Sequence, residues 1–240
     1  MIKAIWILLL TGLCISCNDQ NNPNEEQPDR GGQEQPSTVS YLALGDSYTI
    51  GEGVDEDQRW PNQLAEKLST DTLQIEPVRI VARTGWTTGD LLEGIAQAQL
   101  RSQYDVVSLL IGVNNQYQGQ NPAIYKEEFD ALLQKAMAFA GGQRHQVFVL
   151  SIPDYSVTPF AASRDTARIR REINQYNAVA DSICGVYGIP FYNITPISQE
   201  AKTDRTLLAS DNLHPSGKQY KQWVEAIRQD VAPLFGVKVD

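Results

Sequence analysis

Apolar positions along the chain fall into two alternating rhythms. Short, almost unbroken apolar runs lie at Val39–Leu44, Val78–Ala82, Val106–Ile111, Val147–Ile152 and Ile189–Tyr192. Between them, apolar side chains recur every three or four residues. The third and fourth runs (VVSLLI and VFVLSI) show little alternation, the pattern of parallel strands covered on both faces. The intervening stretches read as helices. Pro61 opens one at its first position, with Leu64, Ala65 and Leu68 on one face. Thr87 or Thr88 caps the next, which turns Leu91, Ile95 and Ala98 inward. Pro122 opens a third, which runs to about Ala140 and is stopped by Gly141-Gly142. A fourth repeats Ile169, Ile173, Tyr176, Ala180 and Ile183, and the last follows Pro215 with Tyr220, Trp223, Val224, Ile227 and Val231. Strands alternating with helices predict an α/β domain over residues 39–240: three layers, α/β/α, around an open five-stranded parallel sheet with one core. There is no internal repeat.

The residues before Val39 follow a different pattern. Lys3 precedes a short apolar run, Ala4–Leu13, too short to span a bilayer and suited to the centre of a signal peptide. Cys14 and Cys17 follow. Cys17 is preceded by Ile15 and Ser16, and a small residue at that place fits cleavage before a Cys that becomes lipidated. Cys14 follows the bulky Leu13 and fits poorly, and an ordinary secretory signal cut nearby is the alternative. Residues 18–38 contain no aliphatic or aromatic side chain and carry five carboxylates against one arginine. Such a segment has nothing to bury and reads as a disordered tether with a reach of roughly 25 Å. The expectation is therefore a signal peptide over 1–16, a lipidated Cys17 with a polar tether to residue 38, and an exported protein held on a membrane face.

Composition narrows the chemistry. The net charge is −9, which argues against nucleic acid as a partner because phosphate binding needs clustered Lys and Arg. Three Cys and two His leave little for a structural zinc site or a disulfide framework, so no metal and no cofactor are expected. Cys184 lies on an apolar helix face and reads as a buried small residue. His145, between Gly142 and the fourth strand, reads as a solvated loop histidine.

In a parallel sheet of this kind, ligands sit beyond the carboxyl ends of the strands. There the chain places Gly45-Asp46-Ser47, Arg83–Thr88, Gly112-Val113-Asn114-Asn115 and, before the last helix, Asp211-Asn212-Leu213-His214-Pro215. Singly, each has an ordinary reading as turn chemistry. Together they supply the parts of an acyl-transfer site. Ser47 is a hydroxyl at a sharp strand-to-loop turn. His214 is a base, and Asp211, three residues earlier, is within reach of its ring. The N–H groups of Ser47 and Gly85 and the amide of Asn114 are donors for a developing oxyanion.

These four blocks, in this order, resemble the SGNH (GDSL-type) hydrolases over nearly all of residues 39–232. The resemblance implies a flavodoxin-like SGNH hydrolase fold. It implies Ser47 as nucleophile, His214 as base, Asp211 as its orienter, and Ser47, Gly85 and Asn114 as the oxyanion hole. The third block departs from the family pattern, which usually ends Asn-Asp where this chain has Asn114-Asn115. Asn115 is expected to hold its loop, and Asn115→Asp to keep activity within about tenfold.

The substrate is read from what flanks the motifs. Tyr48, Trp86, Tyr117, Tyr155 and Phe160 lie near the four blocks, and either pack under the loops or face sugar rings. Tyr48, Trp86 and Tyr117 are the candidate substrate contacts. Gln116–Gln120 (QYQGQ) is polar, and no long apolar lid is evident. The expected activity is a serine esterase acting on short acyl, chiefly acetyl, esters of carbohydrates. A lysophospholipase or thioesterase is the alternative within the family, and a non-catalytic binding lipoprotein the alternative outside it.

Overall fold

Tyr41–Gly45 (β2) and Val106–Leu110 (β5) are buried at every position, and they form the middle of the sheet. In the computed structural model, which describes residues 36–238, β2 pairs with β5 on one side and with Arg79–Ala82 (β4) on the other. Val147–Leu150 (β6) and Phe191–Tyr192 (β7) continue the sheet beyond β5. The spatial order is β4-β2-β5-β6-β7, all parallel. Numbered within the sheet this is 2-1-3-4-5, the flavodoxin-like order, whose direction reverses between the first and third strands. The carboxyl ends of β2 and β5 therefore flank the position where a ligand crevice opens.

Helices cover both faces. Trp60–Leu68 (α2) packs on Gly217–Val231 (α8) in one layer. Thr88–Gln97 (α3), Pro122–Phe139 (α5) and Thr166–Tyr187 (α6) pack in sequence in the other. Their ends are set locally. Thr87 and Asp90 form a reciprocal capping box on α3, Asn121 and Pro122 start α5, and Asp165 caps α6, which stops at the left-handed Gly188. Trp60 of α2 and Trp223 of α8 are fully buried, and the Trp60 ring meets Phe148 of β6 edge-on. On the other side, Leu91, Phe129 and Ile173 fill the core from α3, α5 and α6. Cys184 is buried as its helix face predicts, and burial pushes its thiol up to about 12, far from a reactive thiolate. His145 lies exposed in a turn before β6.

The structure departs from the sequence expectation at the amino-terminal edge. The run Val39–Leu44 is not one strand. Ser37–Val39 (β1) pairs in parallel with Leu73–Ile75 (β3) as a separate two-stranded sheet. The chain breaks at Ser40, whose N–H and hydroxyl both donate to the Asp105 carboxylate at 2.8 and 2.6 Å. Ser37 and Thr38, placed in the expected tether, are strand residues instead. The expected signal peptide 1–16, the lipidation expected at Cys17 and the expected tether up to residue 35 lie outside the described residues. Three further short helices, Ser47–Ile50 (α1), Val113–Tyr117 (α4) and Thr195–Gln199 (α7), follow β2, β5 and β7.

Candidate active site

Helix α1 begins directly on the end of β2. A Cβ at Gly45 would lie 2.1 Å from Thr49 Oγ1 and 2.5 Å from the Leu110 carbonyl oxygen, so only glycine lets the turn close this tightly. Asp46 caps the turn, its Oδ1 accepting from the Tyr48 N–H at 3.0 Å. The Asp46 carboxyl is fully enclosed, and burial pushes it up to about 7 against the hydrogen bonds that hold it down. Ser47 is left as the first residue of the helix, 3% exposed, at the topological switch point.

The histidine loop closes on itself. Leu208 and Pro215 bridge, the Ala209 N–H donates to the His214 carbonyl at 2.8 Å, and Asn212 takes the left-handed conformation at φ +60°. Inside this loop Asp211 Oδ1 accepts from the N–H groups of Leu213 and His214 at 2.9 and 3.0 Å. Its other oxygen lies 2.5 Å from His214 Nδ1, and His214 Nε2 lies 3.0 Å from Ser47 Oγ. A carboxylate only accepts, so the proton is fixed on Nδ1 and Nε2 is turned to Ser47 as an acceptor. Burial pushes the Asp211 carboxyl up, but the hydrogen bonds from the His214 ring and the two N–H groups outweigh it. The net position is below the ordinary carboxylate range. The Tyr48 ring meets the imidazole edge-on with centroids 5.4 Å apart.

Across the crevice stand the predicted oxyanion donors. Gly85 has φ +84°, open space on its Cβ side, and, among the described residues, an N–H that no protein acceptor takes. Gly112, at φ +130°, turns β5 into α4, where a Cβ would lie 2.7 Å from the Tyr125 ring. Asn114 of α4 donates one amide hydrogen to the Trp86 carbonyl at 2.9 Å, which ties α4 to the Gly85 loop. Its second amide hydrogen remains for the cleft that Asn114 lines.

Asn115 points the other way and is fully buried. Its Oδ1 accepts from the Thr88 N–H at 3.1 Å, and its Nδ2 donates to Thr88 Oγ1 at 2.6 Å and to Gln120 Oε1. The Thr88 hydroxyl proton goes in turn to the Glu128 carboxylate. Asn115 therefore holds its loop, as expected, and the network adds a stability cost for Asn115→Asp to the tolerance in activity expected above. That change would set two carboxylates on one hydroxyl proton. Asn115→Asp is expected to cost about 1–3 kcal/mol of stability, a fall of several degrees in melting temperature. Glu128→Gln in the same chain should recover part of it, because the new amide donates to Thr88 and frees the hydroxyl for Asp at 115. Asn114→Ala, by contrast, should leave melting unchanged and lower kcat by on the order of 10²–10³. Melting curves and kcat on one short ester check both. Equal melting for Asn115→Asp with and without Glu128→Gln would refute the network.

These elements enclose a cleft of about 180 Å³ with Ser47 and His214 at its base and Val113, Leu213, Tyr155 and Phe160 among its walls. Of the candidate substrate contacts, Tyr48 and Tyr117 line it and Trp86 does not. The Trp86 ring lies on Gly94 of α3, where a Cβ would be 2.2 Å from the ring, so it is a packing residue, and only its carbonyl serves the site. Arg164 was not singled out from the sequence. It stacks on Tyr117 and Phe160 at the cleft mouth.

A serine at the switch point of a parallel sheet, hydrogen-bonded to a carboxylate-oriented histidine and facing free donors, is arranged for acyl transfer, and the class is that of the serine ester hydrolases. Residues 43–222 match the model of the GDSL-like Lipase/Acylhydrolase family, and the chain belongs to it. Solved structures agree on the fold. TesA superposes with a TM-score of 0.61 at 19% identity, over 81% of this chain and 99% of its own. The lipase/acylhydrolase from Enterococcus faecalis gives 0.61 at 17% identity, over 81% and 96%. Axe2, an acetylxylan esterase from Geobacillus stearothermophilus, gives 0.59 at 17% identity, over 85% and 97%. No curated protein sequence matched the chain.

Proposed function

We propose that the protein hydrolyses short acyl esters, chiefly acetyl esters of carbohydrates, through an acyl-enzyme on Ser47. The observation that carries this reading is the shape of the cleft. At about 180 Å³ it is smaller than the ~300–1,000 Å³ of sites that enclose drug-sized ligands. At its mouth Tyr117 and Phe160 are 46% and 38% exposed, aromatic faces suited to a sugar ring. The similarity to an acetylxylan esterase is in keeping with it.

In this reading the Ser47 hydroxyl gives its proton to His214 Nε2 as Oγ adds to the ester carbonyl. The carbonyl oxygen becomes an anion held by the Ser47 and Gly85 N–H groups and the Asn114 amide. Collapse breaks the bond to the alcohol, which leaves with the proton from His214. Water then adds to the acyl-enzyme, giving a proton to Nε2, and Ser47 recovers that proton as the acid departs. Asp211 stays ionised and stabilises the imidazolium.

A series of p-nitrophenyl esters from acetyl to palmitoyl tests the acyl size. The value of kcat/KM is expected to peak at acetyl or butyryl and to fall more than tenfold by decanoyl. A maximum at the long esters would return the lysophospholipase or thioesterase reading. No turnover of any ester would return the binding lipoprotein.

The proposal includes export and a lipid anchor at Cys17, supported by the apolar run Ala4–Leu13, Ser16 before Cys17 and the polar residues after it. Mass analysis of the mature protein from a lipoprotein-competent bacterium should find Cys17 first and acylated. An unmodified Cys17 would return the ordinary secretory signal.

A further inference from the structure

We infer that Arg164 selects substrates whose alcohol part carries a carboxylate next to a sugar ring, so that the preferred esters are those of acidic, uronate-containing glycans. This rests on the esterase reading above and adds the charge of the substrate to it.

Tyr117, Tyr155 and Phe160 form a three-ring cluster at the cleft mouth, with centroids 6.1–6.4 Å apart. The Arg164 guanidinium lies 4.8 Å from the Tyr117 ring centre and 5.0 Å from that of Phe160, and Nη2 donates to the Tyr117 hydroxyl at 2.9 Å. Stacking and the hydrogen bond fix the orientation of a side chain that would otherwise be mobile on the surface. Tyr117 and Tyr155 are also the shared wall between the catalytic cleft and a neighbouring depression of about 300 Å³, which Arg164 lines. A substrate whose acyl group sits at Ser47 and whose sugar crosses the rings reaches Arg164 next.

Charge pairing separates this arginine from Arg168 and Arg170. Arg168 is held by Glu172 at 2.6 Å and Arg170 by Asp154 at 3.0 Å. Among the described residues no carboxylate lies within ion-pair distance of Arg164. Asp165, next in the chain, turns its Oδ1 to the Arg168 N–H at 2.9 Å as the cap of α6. Of the five N–H donors of Arg164, one is committed. A planar fork with unused donors, held beside rings that receive a sugar, matches a planar carboxylate in two-point contact.

The test is the release of acetate from O-acetylated trigalacturonate and from O-acetylated α-1,4-galactotriose, which differ in the carboxylates. The readout is the ratio of the two kcat/KM values for each enzyme. At low salt the wild type is expected to favour the acidic substrate about fivefold to tenfold, the range of an exposed but pre-oriented charge contact. The ratio should fall to about one in Arg164→Gln, recover in part in Arg164→Lys, and shrink in the wild type as salt is raised. A wild-type ratio near one, or a preference that survives Arg164→Gln in a variant with normal melting, would overturn the inference. p-Nitrophenyl acetate separates the two failures. Turnover of it without discrimination between the trisaccharides leaves the esterase standing and removes the role of Arg164, whereas no turnover of any of the three removes both.

Discussion

Ser47→Ala is expected to lower kcat by roughly 10⁴-fold or more while KM and melting temperature change little. The loss is large because the three side chains act as a unit. His214 Nε2, 3.0 Å from Ser47 Oγ, would be left with a base and nothing to deprotonate but water. Other hydroxyls near the crevice do not take over. Thr49 is sealed in the turn under Gly45, and Thr84 donates to Glu52. Binding survives because the walls of the cleft are other residues, and the fold survives because Ala keeps the helix start that Asp46 caps. A fluorophosphonate should label the wild type on Ser47 and on no other serine. A fully active Ser47→Ala protein, or label on a different residue, would refute the nucleophile.

The parts of this site that were legible in the sequence are those encoded locally. Asp211 and His214 are three residues apart and meet within one self-closed loop, so spacing alone implies contact. Ser47 and Asn114 follow almost unbroken apolar runs, and a parallel sheet brings such strand ends to one edge whatever their distance along the chain. The long helices announced themselves through periodicity and caps. What stayed hidden depends on partners far apart in sequence or on elements too short to show a period. Helix α1 has four residues and β1 three, and β1 finds its partner at Leu73–Ile75 with no apolar run to mark either. Trp86 sits beside an oxyanion glycine, and nothing local distinguishes a ring facing substrate from one lying on Gly94. Asn115 reads as a departure from the family pattern until Thr88 is seen to meet it and Glu128 to meet Thr88, 27 residues from Asn115 to Thr88 and 40 from there to Glu128. Arg164 is one arginine among several until folding places it on Tyr117, 47 residues away.

Asp211→Asn is expected to lower kcat by on the order of 10⁴, with KM nearly unchanged. The reason is the direction of one hydrogen bond. The carboxylate accepts on both sides: Oδ1 from the Leu213 and His214 N–H groups, Oδ2 from the His214 ring. An amide cannot do both. With its oxygen toward the two N–H groups, its NH₂ faces His214 Nδ1, which must then be unprotonated. The proton moves to Nε2, and the ring offers Ser47 a donor where an acceptor is needed. With the amide flipped, NH₂ abuts two backbone donors and the loop opens. The first orientation, which keeps the loop closed, disables the base and leaves the cleft intact. Stability should carry its own signature. Asp211 sits below the ordinary carboxylate range in the folded protein, so its ionised form stabilises the fold above the unfolded-state value of about 3.9, and this is lost as pH falls through the folded-state value. The wild type should therefore melt above Asp211→Asn at neutral pH, and the two curves should converge in acid. Normal turnover by Asp211→Asn, with melting that tracks the wild type at every pH, would show that Asp211 only shapes the turn.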